Sequence, residues 1–138
     1  MKANVAKVYS AQVVGLSGAP ISIETDVSTG LYSFTIVGLP DKSVDESRER
    51  VHAALKNSGL DSPKSRNHKL TVSLAPAEIK KEGAMFDVPI AISYLIAVGD
   101  IDGEHADTML VGELSLSGDL QPLRGALAIA STAKQGGF

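Results

Sequence analysis

Cysteine and tryptophan are both missing from this 138-residue sequence, and aromatic residues make up only 4% of it. Without cysteine there is no disulfide framework, no thiolate zinc site and no thiol nucleophile, and the chain suits a reducing compartment. So few aromatics argue against a platform on which single-stranded bases stack. No run approaches the roughly 18 apolar residues of a membrane-spanning helix. The opening Met1 to Asn4 leads into a polar, alternating segment rather than the apolar core of a signal peptide. A cytoplasmic protein with no membrane partner is the resulting expectation.

Several motifs are absent as well. There is no G-x-x-x-x-G-K-[ST] loop to cradle nucleotide phosphates and no G-x-G-x-x-G after a strand, so no nucleotide cofactor is expected in this chain. His52, His68 and His105 are far apart in sequence and show no metal-binding spacing. They read as surface residues on a helix, a basic loop and an acidic turn, and no metal site is expected. No small-molecule substrate is evident.

What is present is ordinary for one globular domain: 43% hydrophobic and 21% charged residues. The net charge of −3 is unevenly spread, because Lys42 to Lys81 carries nine Lys/Arg against five Asp/Glu. That asymmetry fits a polyanion-facing surface. The plainer and favoured reading is a domain with one mildly basic side.

Periodicity divides the chain into elements of an α/β (α+β) fold, a mixed sheet with helices packed on it. Lys7 to Val14, Ile21 to Val27 and Tyr32 to Val37 alternate as strands, with turns at 15–18 and 28–30, and are expected to form an antiparallel meander. Helical spacing then takes over: Val44, Val51, Ala54 and Leu55 share one face, Ser43 and Glu46 have the form of a capping box, and Gly59 suits a left-handed stop. A basic loop, 62–68, precedes a strand from Lys69 to Leu74. An apolar helix is expected from Val88 to Val98, with Pro89 tolerated near its start. Thr108 to Leu114 reads as a strand, Leu120 to Leu123 as a short return, and Gly125 to Gln135 as a helix. After that helix an α/β chain ordinarily re-enters its sheet, so the sequence reads as one domain, 1–138, of a longer protein.

Two segments invite a chemical reading. In Lys80 to Ile90 a charged loop opens the apolar helix, with Asp87 placed to cap it and Gly83 suited to positive φ. An anion-binding loop on a helix N-terminus is one reading, and a well-capped connection is the favoured one. In Val111 to Gly125, Glu113 sits among apolar neighbours. An ion pair with Lys80, Lys81 or Arg124 is favoured over acid–base work.

Together these segments resemble a known family. Gly38-Leu-Pro-Asp41, Glu46 to Val51, Ala54 to Gly59, Leu74 to Ala77, Lys81-Glu82-Gly83, Phe86 to Ile90 and Gly112 to Gly118 look like the N-terminal domain of ComM/YifB-type magnesium-chelatase-like AAA+ ATPases. The resemblance runs the whole length of the chain. It implies the fold shared by the Lon peptidase domain and the C-terminal domain of the RadA recombination protein. It also implies a following ATPase module that binds ATP and Mg2+ in a homohexamer, and, for ComM members, branch migration of DNA during natural transformation. Lys81, Glu82, Gly83, Phe86, Asp87 and Glu113 form the family's motif loops.

Lon peptidases place a serine two residues after the glycine of a K-x-G run, and a lysine seven residues after the proline of G-E-x-x-L-x-G-x-x-x-P. Those positions hold Met85 and Ile129 here. A thioether cannot be acylated and an isoleucine moves no proton, so the resemblance implies no peptidase dyad. Ser73 and Lys81 have no spacing that recommends them as substitutes.

Three functions follow as expectations. The leading one is a non-catalytic accessory domain of a DNA-processing ATPase, with Arg48, Arg50, Lys56, Lys64, Arg66 and Lys69 as the residues to contact phosphates or a partner. The second is a protein–protein module of the ATPase ring without nucleic-acid contact. The third, a residual hydrolase depending on Lys81, is the least favoured. Chelation chemistry has no visible porphyrin or metal ligand set behind it.

Overall fold

The structure, a computed structural model, describes residues 5–103 and 106–138; the turn holding His105 falls outside the described residues. Strands β1 (Val5–Val14) and β2 (Ser17–Thr29) form a long hairpin, with Val8 opposite Ile23 and Ser10 opposite Ile21. Alternation buries one face of each, as a half-covered sheet requires.

The expected three-stranded meander stops at that hairpin. The sheet order is β1-β2-β4-β3, and β4 (His68–Ala75) lies between β2 and β3 (Ser33–Val37). β2 and β4 are antiparallel, whereas β3 and β4 are parallel, with Phe34 opposite Leu70 and Ile36 opposite Val72. Core content explains the exchange. Leu70, Val72 and Leu74 are at most 1% exposed, so β4 gains most from a central place, while the five-residue β3 serves as an edge. Between β3 and β4 the chain crosses over through α1 (Lys42–Asp45) and α2 (Ser47–Asn57), which sets the parallel direction.

The helix start also differs from the expected capping box. Asp41, not Ser43, is the cap, and its carboxylate accepts the Val44 N–H at 2.7 Å. Ser43 lies inside the first turn. The stop is as expected: Gly59 adopts φ +80°, and the Leu60 N–H reaches the Leu55 carbonyl at 3.1 Å. Helix α3 (Asp87–Ala97) lies with α2 on the buried face of the sheet. It ends the same way, at Gly99 with φ +83°, where the Asp100 N–H donates to the Leu95 carbonyl at 2.9 Å.

The expected strand from Thr108 shrinks to a single bridge, Met109 with Tyr9, and the two residues of β5 (Glu113–Leu114), paired with β6 (Leu120–Gln121). Its backbone groups are used elsewhere. Gly112 donates to the Met85 carbonyl at 2.8 Å and accepts the Val88 N–H at 3.0 Å, closing the start of α3 instead of extending a ladder. Helix α4 (Ala126–Gln135) packs on the other side of the sheet against the hairpin. A Cβ on Gly18 would come within 2.4 Å of the Thr132 hydroxyl, so α4 sits on bare backbone there. Beyond α4 the open side of β2, β4 and β3 carries Glu24, Asp26, Lys69, Thr71 and Thr35 to solvent.

Candidate functional site

Two clusters of polar side chains are assembled from elements distant in sequence. The first centres on Asp87, fully buried at the first position of α3. It does not cap its own helix, as the sequence led us to expect; Phe86 holds the cap position with no side-chain bond, and Gly112 supplies the acceptor for Val88. Instead Asp87 Oδ1 accepts the Ser47 hydroxyl at 2.5 Å and Arg50 Nη2 at 3.2 Å. Its Oδ2 accepts Arg50 Nε at 2.7 Å and the Leu114 N–H at 3.0 Å. Arg50 also donates to the Ser43 carbonyl at 2.7 Å. This carboxylate joins α2, α3 and β5, and its lone pairs are fully used.

The second cluster lies where β2 ends, β4 begins and α3 stops. Arg66 Nη2 donates to Asp100 Oδ2 at 2.6 Å, with Asp61 at 3.6 Å. The left-handed stop at Gly99 is what turns Asp100 toward Arg66. His68 is not the surface residue expected of a basic loop: it opens β4, half-buried, with Nδ1 2.7 Å from the hydroxyl of the fully buried Tyr94. Burial pushes the Tyr94 phenol up to about 12. His68 is held below its ordinary value, first by burial and then by Arg66, with Asp100 opposing. A polar cavity of about 500 Å³ opens beside Ser28, Thr29, Arg66 and His68.

The six basic residues picked from sequence separate into two groups. All three arginines are engaged internally: Arg50 with Asp87, Arg66 with Asp100, and Arg48 with Asp45 at 2.7 Å and the Phe34 carbonyl at 3.3 Å. Lys56, Lys64 and Lys69 are exposed. Lys56 rides on α2 over the covered side of the sheet, whereas Lys69 alternates with buried Leu70 and projects from the open side. The structure therefore does not gather the six on one face.

The motif loop before α3 is built around Lys81, whose side chain is buried and donates from Nζ to the Pro76 carbonyl. Burial lowers its affinity for a proton, with Glu78 opposing. Its backbone bridges Pro40, and the Asp41 N–H donates to the Lys81 carbonyl at 2.9 Å. The Glu82 N–H donates to Gln12 at 2.7 Å, and Gly83 adopts φ +85° with its N–H 3.4 Å from Asp41. Phe86 is in the core. The ion pair expected for Glu113 is not formed: among the described residues no cation lies within 4.0 Å of it, and it is half-exposed opposite Gln121. His52 is likewise half-buried, its ring 5.8 Å from that of Tyr32.

Met85 lies in the turn before α3, packed on the core, and Ile129 is a buried residue of α4. Between α2, α3 and the β5–β6 hairpin runs an apolar groove of about 250 Å³ lined by Leu55, Val88, Ile92, Leu95 and Leu114. Leu116 and Leu120 stand exposed on the hairpin beside it, at 57% and 71%. No helix among the described residues is long and apolar enough to cross a membrane.

Comparison with known proteins places these features in context. The family described as subunit ChlI of Mg-chelatase matches residues 23–138. YifB of Escherichia coli is 40% identical over 131 residues, which covers 94% of this chain and 25% of YifB. YifB of Salmonella typhimurium is 39% identical over 97% of this chain and 26% of its own length. Competence protein ComM of Haemophilus influenzae is 39% identical over 96% of this chain and 26% of ComM. The chain thus spans about a quarter of the length of these relatives.

Proposed function

The chain belongs to the magnesium-chelatase-like ChlI family that includes YifB and ComM, and on that premise we propose that it is a non-catalytic accessory domain of an ATPase that processes DNA. The observation that carries the absence of catalysis is the occupancy of the two Lon-type positions by Met85 and Ile129, one packed on the core and one buried on the inner face of α4. Neither side chain attacks a carbonyl or transfers a proton. ATP and Mg2+ belong to the ATPase module of the longer protein, a homohexamer in the cytoplasm. The link to DNA is supported by the competence role named for ComM and by the exposure of Lys56, Lys64 and Lys69.

The test is fluorescence anisotropy with a labelled duplex at low and moderate salt. Binding that weakens steeply with salt, and that charge reversal at Lys64 and Lys69 reduces, is the expected result. A flat titration at low salt removes DNA from the assignment. A second reading, a protein–protein module of the ATPase ring, is favoured by the apolar groove and by the internal use of Arg48, Arg50 and Arg66. Under that reading Leu120→Asp impairs docking of the ATPase module and leaves DNA anisotropy unchanged.

A further inference from the structure

The cavity at the end of β2 and the start of β4 has a chemistry that the accessory-domain reading does not use. It holds about 500 Å³ and is lined by Val27, Ser28, Thr29, Arg66, His68 and Val98. Arg66 is fixed there by its Nη2, which Asp100 holds at 2.6 Å, with Asp61 3.6 Å away. Among the described residues its Nε and Nη1 have no acceptor, so two N–H edges of a pinned guanidinium stay available.

The histidine adds a third donor. Tyr94 is fully buried, and its hydroxyl has one partner among the described residues, His68 Nδ1. A buried hydroxyl that accepted from Nδ1 would leave its own hydrogen without an acceptor, which costs more than leaving a lone pair unused. Tyr94 therefore donates, Nδ1 accepts, and the ring proton sits on Nε2, on the side of the ring away from Tyr94. The Thr29 hydroxyl, on the same face as His68, is exposed and has no hydrogen bond among the described residues, and it completes the set. Lys64, two residues before Arg66, is exposed. With Arg66 it sets two cations against Asp61 and Asp100. Both carboxylates point at Arg66.

A pocket of N–H and O–H donors around one pinned guanidinium, with its carboxylates already engaged, matches a tetrahedral oxyanion. We propose that this pocket binds a phosphate group, presented either by a nucleic-acid backbone or by a free phosphate. The proposal does not depend on DNA contact, because inorganic phosphate alone is a sufficient probe.

The experiment is a 1H–15N NMR titration of the chain with inorganic phosphate at constant ionic strength held by sodium chloride. Saturable shifts are expected at Ser28, Thr29, His68 and the Arg66 side chain, with affinity on the order of millimolar for a single small anion. Arg66→Gln should abolish saturation. Thr29→Ala removes only an exposed hydroxyl, so it should weaken binding severalfold with an unchanged thermal midpoint. A competing short duplex separates the sources. Displacement of phosphate by the duplex assigns the pocket to backbone phosphate, and binding of phosphate without displacement assigns it to a free phosphate. Shifts that fail to saturate, or that persist in both variants, overturn the proposal.

Discussion

Two arginine–carboxylate clusters in this molecule use the same chemistry to opposite ends. Around Asp87 every oxygen has a donor, and the side chain is 0% exposed against 19% for Arg50. Around Arg66 the partners are 27% and 78% exposed, and among the described residues one of the guanidinium nitrogens is engaged. The closed cluster has nothing left to offer a ligand and holds three elements together. The open one stabilises little and keeps its donors. Burial and satisfaction, more than residue type, decide which polar group builds the fold and which faces a partner.

That contrast has its largest consequence at Asp87. Asp87→Asn removes the charge that balances the half-buried Arg50, and loss of one partner of such a pair costs about 3–5 kcal/mol. Against a typical total of about 5–15 kcal/mol, urea unfolding should show a large drop in midpoint. A loss below about 1 kcal/mol would mean that the closed cluster does not hold α2, α3 and β5 in place. Tyr94→Phe comes next. It leaves His68 Nδ1 without its donor inside a partly buried site, and about 1–2 kcal/mol is expected from the same measurement. Asp100→Asn, on the open cluster, should cost about 0–1 kcal/mol, because an exposed pair gains little over solvent. A cost equal to that of Asp87→Asn would erase the distinction between the clusters.

How much of this was legible in the sequence depended on the range of the interaction. The β1–β2 hairpin, α2 with its stop at Gly59, α3 and α4 are written in local periodicity and turn chemistry, and all appear where that pattern places them. The place of β3 was not legible, because its partner is chosen by comparing the core content of β2, β3 and β4 across a helical crossover. Arg50 and Asp87 are 37 positions apart, and Arg66 and Asp100 are 34 apart, so no spacing rule links them. Asp87 was misassigned for a related reason. The start of α3 is closed by Gly112, 24 positions beyond Val88, which frees the carboxylate for Arg50. One signal was available: an acidic residue directly before an apolar helix, in a chain with arginines on an earlier helix, is as good a buried partner as it is a cap.

The smallest effect, and the one that bears most directly on the open cluster, is its response to pH. His68 is held below its ordinary value of 6.5, chiefly by burial and secondly by Arg66. Below pH 6.5 the unfolded chain therefore takes up a proton that the folded chain resists, and stability rises with pH across that window. The contribution is complete above 6.5 and is lost as the pH falls through the folded value. One proton changes stability by at most about 1.4 kcal/mol per pH unit, so the effect is read as a difference between variants. From pH 7 to 5 the wild-type unfolding free energy should fall more steeply than that of His68→Gln, in which that position no longer titrates; equal slopes would show that His68 does not sense the burial described here. Tyr94 stays protonated throughout, since burial pushes its phenol up to about 12. A phosphate bound beside Nε2 favours the protonated ring and raises its affinity for a proton toward the unfolded value. Replacing chloride with phosphate at equal ionic strength should then flatten the wild-type slope and leave His68→Gln unchanged, a result that the closed cluster at Asp87 has no means of producing.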